Sequence, residues 1–535
     1  MLNFGDMLDV VEANLPPETP AFLHGTRCVT WGEAARLSNN LARALLDRGL
    51  EAGDKVALYM RNGPEYLLTL AAAFKARLTA VNVNYRYTDR ELVYLLNDSD
   101  ARTVVHGQEF RPQVATIRGD LPQVRHWIEI AGDDASPPDF AERFDALAEA
   151  GDGAPLGIER SGGDLLFIYT GGTTGMPKGV MWEHGELREL LVRAARELGP
   201  VPDTLEELAA AVRALGPGPR MLPASPLMHG TGLIPSISVL MAGGSIVTLT
   251  GRSFDAGEML DAIEAHRPDH LVIVGDSFGR PLLAELDGGG RRRELGSVAA
   301  ITSSGVMWSA EIKQGLLRHM PGAMLNDVLS SSEALGLGAA VTTQGEEATT
   351  GRFTIGDRCR VFDEDDRPVE PGSDRPGLLA LGPPNPLGYY GDPEKSAATF
   401  RVIGGVRYCV PGDWVRVEAD GTLTFLGRGS GCINTGGEKV FAEEVEETLK
   451  LHASVADALV VGVPDPKWGQ AIVAVVAPAG HGEPDEAALR DHVRAHLAAY
   501  KVPKRVLAAD RPLRAPNGKA DYAAARARAE SLPLS

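Results

Sequence analysis

Cysteine is scarce in this 535-residue chain: Cys28, Cys359, Cys409 and Cys432 are the only four, far apart and without a CxxC pair. That excludes a disulfide-stapled scaffold and a metal site of thiolate spacing, and leaves free thiols in a reducing compartment. Basic charge is also short. Lys and Arg number 53 against 72 Asp and Glu, a formal net charge of −19. Neither nucleic acid nor an anionic membrane is expected as a main partner, since both demand basic surface. An anionic substrate would have to be captured locally, by lysines and backbone N–H groups. The N-terminal "MLNFGDMLDVVEANLP" lacks a basic start and carries acids inside its apolar run, so it is not expected to be a signal peptide. Residues 221–251 contain no Asp, Glu, Lys or Arg, but Pro223, Pro226, Pro235 and several glycines interrupt them. They read as buried core beside an active site rather than a membrane span. A cytoplasmic protein is expected.

What is present is long and ordinary in composition, 44% hydrophobic and 23% charged. At roughly 150 residues per domain, two to four domains are expected. The first half alternates helices and strands. "TWGEAARLSNNLARALLDRG" opens on a capping box, Thr30 to Glu33, and sets Leu37, Leu41 and Leu45 on one face. "DKVALYM" then reads as a buried strand, "PEYLLTLAAAFKA" as a helix and "LTAVNVN" as extended, before a second capping box, Thr88 to Glu91. Strands at 102–106, 165–169, 245–249 and 270–274 continue the rhythm. The expectation is an α/β protein of doubly wound, mostly parallel sheets, with ligands where loops leave the carboxyl ends of strands. Late in the chain "ADGTLTFLGRGSGCINTGG" passes from a hairpin into a glycine-dense stretch. About a hundred residues follow, enough for a small α+β domain.

One such strand end reads "YTGGTTGMPKGV", residues 169–180. It is not the NTPase P-loop, because Lys178 is followed by Gly179 rather than Ser or Thr. Its parts still suit phosphate. Gly171, Gly172 and Gly175 let backbone N–H groups crowd round an anion, Thr170, Thr173 and Thr174 add hydroxyl donors, and Lys178 adds charge.

The ordered string resembles the signature loop of adenylate-forming enzymes, the superfamily of acyl-CoA synthetases, luciferase and peptide-synthetase adenylation domains. Further motifs of that family follow in order across nearly the whole chain. "PLMHGTG" (226–232) is similar to the histidine motif beside the acyl pocket, and "SSGVMWS" (303–309), with Ser304 and Gly305, to the adenine-side loop. "LSSSE" (329–333), preceded by Asp327, corresponds to the aromatic-Gly-x-Thr-Glu motif and "VPGDWV" (410–415) to the ribose-binding Asp motif. "GRGSGCINTGGEKVF" (427–441) resembles the hinge and CoA-side motif, and "PNGKAD" (516–521) the catalytic-lysine motif.

The resemblance implies a large N-terminal domain with a small barrel-like subdomain, residues 1–428, a hinge at 429–432, and a mobile C-terminal α+β domain, 433–535. It implies ATP, Mg²⁺ and coenzyme A as cofactor and co-substrates. A carboxylate is a poor electrophile, and joining it to AMP creates a good leaving group. That step brings anions together, so donors and cations must be gathered in one place. The opening loop is expected to hold the β- and γ-phosphates, and Glu333 the Mg²⁺. Asp327, Ser304, Gly305 and Leu329 belong to the nucleotide side, and Ser332 would donate to the α-phosphate. Asp413 would accept from the ribose hydroxyls with Arg428 nearby, and His229 sits at the mouth of the acyl pocket. Lys519 would bridge carboxylate and α-phosphate, then leave so that Gly436 and Gly437 meet the pantetheine arm. Taken singly each residue has a plainer reading: a lone Glu, Asp or Lys is a solvated charge, and a lone His a core residue. Their joint order lifts them. Three departures stand out: Leu329 where an aromatic is usual, Ser330 where glycine is usual at the pocket floor, and Gly431 at the hinge position.

A rival pattern, "GDSFG" (275–279), satisfies the GxSxG elbow of serine hydrolases with Ser277 as nucleophile. It is short and arises by chance in Gly- and Ser-rich chains, and a hydrolase leaves the other motifs without purpose. A non-catalytic nucleotide-binding protein is the third reading, against which Glu333 and Lys519 speak. The chain runs out soon after the lysine motif, and no Asp near the histidine motif could grip an amino group. A free-standing CoA ligase is therefore favoured over a peptide-synthetase domain, with a homodimer as a candidate assembly. "VNVNYRYTDRELVYLL", "IVGDSFGRPLL" and "GCINTGGEKVF" resemble a bacterial branch of fatty-acyl and steroid-side-chain acyl-CoA synthetases. The expected acid is hydrophobic: medium- or long-chain, sterol-derived or arylalkanoic.

Overall fold

The computed structural model describes residues 2–130, 132, 137–170, 176–198, 200–373, 375–429, 432–435, 438–465, 469–480, 484–514 and 520–531. The chain divides into two compact units, one of residues 1–350 and 381–409, the other of residues 351–380 and 410–535.

The first unit is built on two sheets of mostly parallel strands. One runs Gly388–Tyr389, Lys178–Glu183, Leu165–Thr170, Thr79–Asn82, Lys55–Tyr59, Ala101–Gly107, His126–Ile130, Glu142–Arg143. Its pairs from Leu165–Thr170 onward are parallel, and the two at the near edge antiparallel. The other takes Pro20–His24, Ser245–Thr248, Arg220–Pro223, His270–Ile273, Ala300–Ser304 and Met324–Leu329 in parallel, closed by antiparallel Arg27–Thr30 and Gly338–Thr342. Strands covered on both faces read as near-continuous apolar runs, which is why "LLFI" and "HLVI" were legible. The capping boxes are both formed, Thr30 with Glu33 on helix Trp31–Asp47 and Thr88 with Glu91 on helix Asp89–Asp98. Each satisfies two N–H groups that a helix start leaves orphaned. The uncharged stretch becomes strand Arg220–Pro223, helix Gly230–Met241 and strand Ser245–Thr248. Among the described residues no helix is long and apolar enough to cross a membrane.

The second unit holds the hairpin Asp413–Val417 and Leu423–Arg428, with Arg352–Ile355 beside it. Beyond it lies a sheet ordered Glu438–Phe441, Cys432–Thr435, Gly469–Pro478, Val455–Asp465, with Arg505–Ala508 parallel to Gly469–Pro478. Alternate residues of its strands feed two cores. Val460, Ile472, Ala474 and Val476 pack with Val445, Leu449, Leu489 and Val493 of helices Ala442–Lys450 and Glu486–His496. Leu459, Val461, Val473 and Val475 pack with Ala525 and Ala529 of helix Tyr522–Glu530. A strand's period of two sends neighbours to opposite faces, so one sheet serves both. The expected hinge lies inside this unit, where Trp414, Leu426 and Phe441 share a small apolar cluster.

Candidate functional site

Strand Leu165–Thr170 delivers the chain to the glycine–threonine loop, and Lys178–Glu183 takes it back antiparallel, so Thr170 stands opposite Lys178. Gly171, Gly172, Thr173, Thr174 and Gly175 lie outside the described residues. The stem beneath them is tightly held. Buried Tyr169 donates its phenol to Asp98 Oδ2 at 2.8 Å and its N–H to Asn82 Oδ1 at 2.6 Å. A Cβ on Gly179 would come within 2.6 Å of the Tyr169 ring, so only glycine fits opposite it. The Lys178 ammonium donates to the Asp392 carboxylate.

The histidine motif is hung from polar side chains of strand Thr79–Asn82, of the loop after Lys55–Tyr59 and of helix Pro64–Lys75. Asn82 Nδ2, besides donating to Tyr169 O at 3.0 Å, donates to Met228 O. Asn62 grips both sides of the turn, donating to Ser225 O at 3.2 Å and accepting from Leu227 N–H at 2.7 Å. The Tyr66 phenol donates to Leu227 O at 3.1 Å. Half-buried His229 then stands at the N-cap of helix Gly230–Met241, without a side-chain cap. The motifs assigned no site role to Asn62, Tyr66 or Asn82. The available signal was Asn82 itself, a polar residue closing an apolar strand, because a buried amide must find partners.

The acid motif leaves strand Met324–Leu329 directly beside this turn. A Cβ on Gly230 would lie 3.6 Å from Ser332 Oγ, and one on Gly305, whose φ is +91°, 3.6 Å from Thr231 Oγ1. The histidine, adenine-side and acid motifs therefore meet within the first unit. Trp182, buried on the strand after Lys178, donates Nε1–H to Ser332 O at 2.8 Å. Ser304 Oγ and Ser330 Oγ are 3.2 Å apart, so the serine replacing glycine at 330 is tied to the adenine-side strand. Glu333 Oε1 accepts from the Tyr389 phenol at 2.8 Å. Burial, and then the Glu333 charge, push that phenol's pKa up, so it remains a donor.

Asp327 is placed differently. Its Oδ2 accepts from the buried Lys313 ammonium at 2.7 Å, which also donates to Thr349 O at 2.9 Å. Burial pushes the Asp327 carboxyl up against the pull of Lys313. Asp327 thus steadies the strand from which Leu329, Ser332 and Glu333 depart.

In the second unit Asp413, buried, is the cross-strand partner of Arg428 at the open end of their hairpin. Gly431, Gly436, Gly437 and Lys519 lie outside the described residues. The chain on either side of Lys519 is brought together: Arg514 pairs with Ala520, and Asp521 N–H donates to Leu513 O at 2.9 Å. Arg514 grips Asp457 with two bonds, at 2.7 and 3.0 Å, and the Tyr522 phenol donates to Glu446 Oε2 at 3.1 Å.

Among the described residues no three His, Cys, Asp or Glu side chains are grouped to hold a metal. Glu333 nonetheless suits a hard cation shared with phosphate oxygens. Among the described residues only Oε1 has a protein donor, that donor is neutral, and no Lys or Arg pairs with the carboxylate. Ser277 falls two residues past the start of helix Gly275–Asp287, not at the strand-to-helix turn a nucleophile elbow requires. Its neighbour Asp276 binds Ser309 N–H at 2.8 Å and Oγ at 3.0 Å, which gives the stretch a structural use.

Comparison with known proteins agrees with this arrangement. The AMP-binding enzyme family matches residues 11–390, and the AMP-binding enzyme C-terminal domain residues 444–519. A medium/long-chain-fatty-acid–CoA/3-oxocholest-4-en-26-oate–CoA ligase of Mycobacterium marinum is 38% identical over 544 residues, covering 99% of this chain and 97% of the relative. A 3-oxocholest-4-en-26-oate–CoA ligase of Rhodococcus rhodochrous is 37% identical, covering 97% and 95%. Among solved structures, the anthranilate CoA ligase AuaEII in complex with anthranoyl-AMP has the same fold, with a TM-score of 0.82 at 24% identity over 99% of this chain and 98% of that one. With its glycine–threonine loop stem, histidine turn and acid motif gathered at strand ends, the chain belongs to the AMP-binding enzyme family and is an AMP-forming acid–thiol ligase, making acyl-CoA through an acyl-AMP.

Proposed function

We propose that the acid is bulky and hydrophobic, a fatty acid or a steroid side-chain acid, and that its adenylation and thioesterification share one pocket. The relatives' names support the substrate class. So does the wall behind His229, where Met228, Leu233 and Ile237 are buried and uncharged. The observation that carries the reading is the linkage of Lys178–Glu183, Ser332 and Glu333. Trp182 of that strand binds Ser332 O, and Tyr389, paired to Val180, binds Glu333. The strand that follows the loop and the acid motif are therefore held on one frame.

On this reading Thr170 to Gly175 and Lys178 bind the β- and γ-phosphates, and Ser332 donates to the α-phosphate. Mg²⁺ held by Glu333 would offset phosphate charge and orient the triphosphate. Ser304, Gly305 and Leu329 line the adenine side, and Asp413 accepts from the ribose hydroxyls next to Arg428. Lys519, carried by a C-terminal domain of residues 433–535 that turns about 429–432, neutralises the charge built up as carboxylate meets α-phosphate. Its withdrawal lets Gly436 and Gly437 admit the thiol arm of coenzyme A.

Lys519→Ala should abolish acid-dependent ATP–pyrophosphate exchange while thioester formation from supplied acyl-adenylate persists. Survival of both half-reactions removes Lys519 from the mechanism. Fatty, steroidal and aryl acids compared by AMP release should favour the first two, and a preference for small aryl acids overturns the substrate class.

A further inference from the structure

The stretch "GYYGD", residues 388–392, belongs to no motif read above, yet its side chains reach the two charged groups of the phosphate site. Gly388–Tyr389 forms an edge strand antiparallel to Lys178–Glu183, with Tyr389 opposite Val180. The Tyr389 phenol donates to Glu333 Oε1 at 2.8 Å. Three residues on, Asp392 divides its oxygens: Oδ1 accepts from Lys395 N–H at 2.9 Å, starting helix Pro393–Thr399, and Oδ2 accepts from the Lys178 ammonium. Ser396 stiffens the turn from within, its hydroxyl accepting from Tyr389 N–H at 2.9 Å and donating to Asp392 O at 2.7 Å. A Cβ on Gly388 would meet that hydroxyl at 2.8 Å, and Tyr390 N–H donates to Gly179 O at 2.8 Å. One braced turn thus holds the carboxylate with one side chain and the ammonium with another.

The two arms differ in chemistry. A phenol is a neutral donor: it fixes the orientation of Glu333 and leaves its full charge for a cation. Asp392 neutralises Lys178, but the pair is 26% and 35% exposed, so water screens it and exchange for a multiply charged anion is favourable.

We propose that Tyr389 and Asp392 are positioning residues for the nucleotide step. Tyr389 presents Glu333 to the divalent cation, and Asp392 keeps the Lys178 ammonium until the triphosphate displaces it. This rests on the assignment of Glu333 and Lys178 to the nucleotide and its cation made above.

The test is equilibrium binding to the full-length protein without acid or coenzyme A, so that no turnover occurs. ATP affinity is titrated calorimetrically without metal, and Mn²⁺ affinity in the ATP complex is followed by electron paramagnetic resonance. Tyr389→Phe keeps the ring and should weaken Mn²⁺ roughly ten-fold while metal-free ATP binding stays as in the parent. Reading the two affinities on one sample cancels any loss of folded protein. Asp392→Asn keeps an oxygen for Lys395 and should tighten ATP several-fold, a gain that vanishes in the Lys178→Ala, Asp392→Asn double variant. An unchanged Mn²⁺ affinity in Tyr389→Phe, or no tightening in Asp392→Asn, overturns the inference. If Glu333→Gln and Lys178→Ala themselves bind Mn²⁺ and ATP like the parent, the underlying assignment falls instead.

Discussion

Lys75 and Lys178 both sit at the end of a regular element in the first unit, and their surroundings could hardly differ more. Lys75 closes helix Pro64–Lys75 with its side chain wholly buried. Its ammonium donates to both Glu12 oxygens at 2.8 and 2.7 Å, to Ser38 Oγ at 2.8 Å and to Asn39 Oδ1 at 2.8 Å. Lys178 has one carboxylate partner among the described residues and keeps a third of its side chain in water. A saturated, buried cation is part of the packing, because removing any partner strands a charge in low dielectric. Lys178 instead stays near water, and its one pair among the described residues is screened, so on the role proposed above a phosphate would displace Asp392 at small cost. Lys313, held by Asp327 and Thr349 O, belongs with Lys75. The residue type alone separates none of them.

The largest effect should come from breaking the saturated site. Lys75→Met leaves Glu12 buried without its cation and should lower unfolding stability by about 3–5 kcal/mol in urea. Adding Glu12→Gln should return much of that, and a loss below about 1 kcal/mol would show that water reaches the cluster.

Next is a buried carboxyl that bonds no cation among the described residues. Glu446 accepts from Val460 N–H at 2.8 Å and from the Tyr522 phenol, and burial pushes it from an ordinary 4.5 up to about 8. The folded state therefore keeps a proton that the unfolded chain releases. Stability should be highest below pH 4.5 as far as this group is concerned and fall as pH rises from about 4.5 to about 8, by at most about 1.4 kcal/mol per pH unit. Glu446→Gln should flatten that window in denaturant titrations at successive pH values. A slope unchanged by the substitution means another group sets it.

The smallest effect on stability belongs to Lys178→Ala, within about 1 kcal/mol because its pair is screened. ATP–pyrophosphate exchange should nevertheless drop roughly 10–100-fold, the worth of a charge-assisted bond to phosphate. A stability loss like that of Lys75→Met, with exchange intact, would erase the contrast between the two lysines.

Local features are readable in the sequence because their partners lie a few residues away. Both capping boxes span three residues, and each buried strand is a contiguous apolar run. The strings that carry Thr170, Lys178, His229, Ser332 and Glu333 stand out for a related reason: each lies unbroken in the chain next to a strand. Their supports were not. Asn82 lies 87 residues from Tyr169 and 146 from Met228, Tyr389 lies 56 from Glu333, and Asp392 lies 214 from Lys178. Asp327 shows a nearer case of the same limit, since its partner Lys313 lies 14 residues back, on the helix Ala310–His319 that precedes the strand.

The sequence by itself therefore determined the α/β rhythm, the order of the motifs and the class of reaction, all of which are written in short-range periodicity and contiguous strings. Which polar groups hold those motifs in place, which lysine is buried among several partners and which is part-exposed, and how Glu333 is oriented were decided only by tertiary structure. The physical reason is that burial and hydrogen-bond saturation are properties of a neighbourhood, and the chain assembles each neighbourhood from residues tens to hundreds of positions apart.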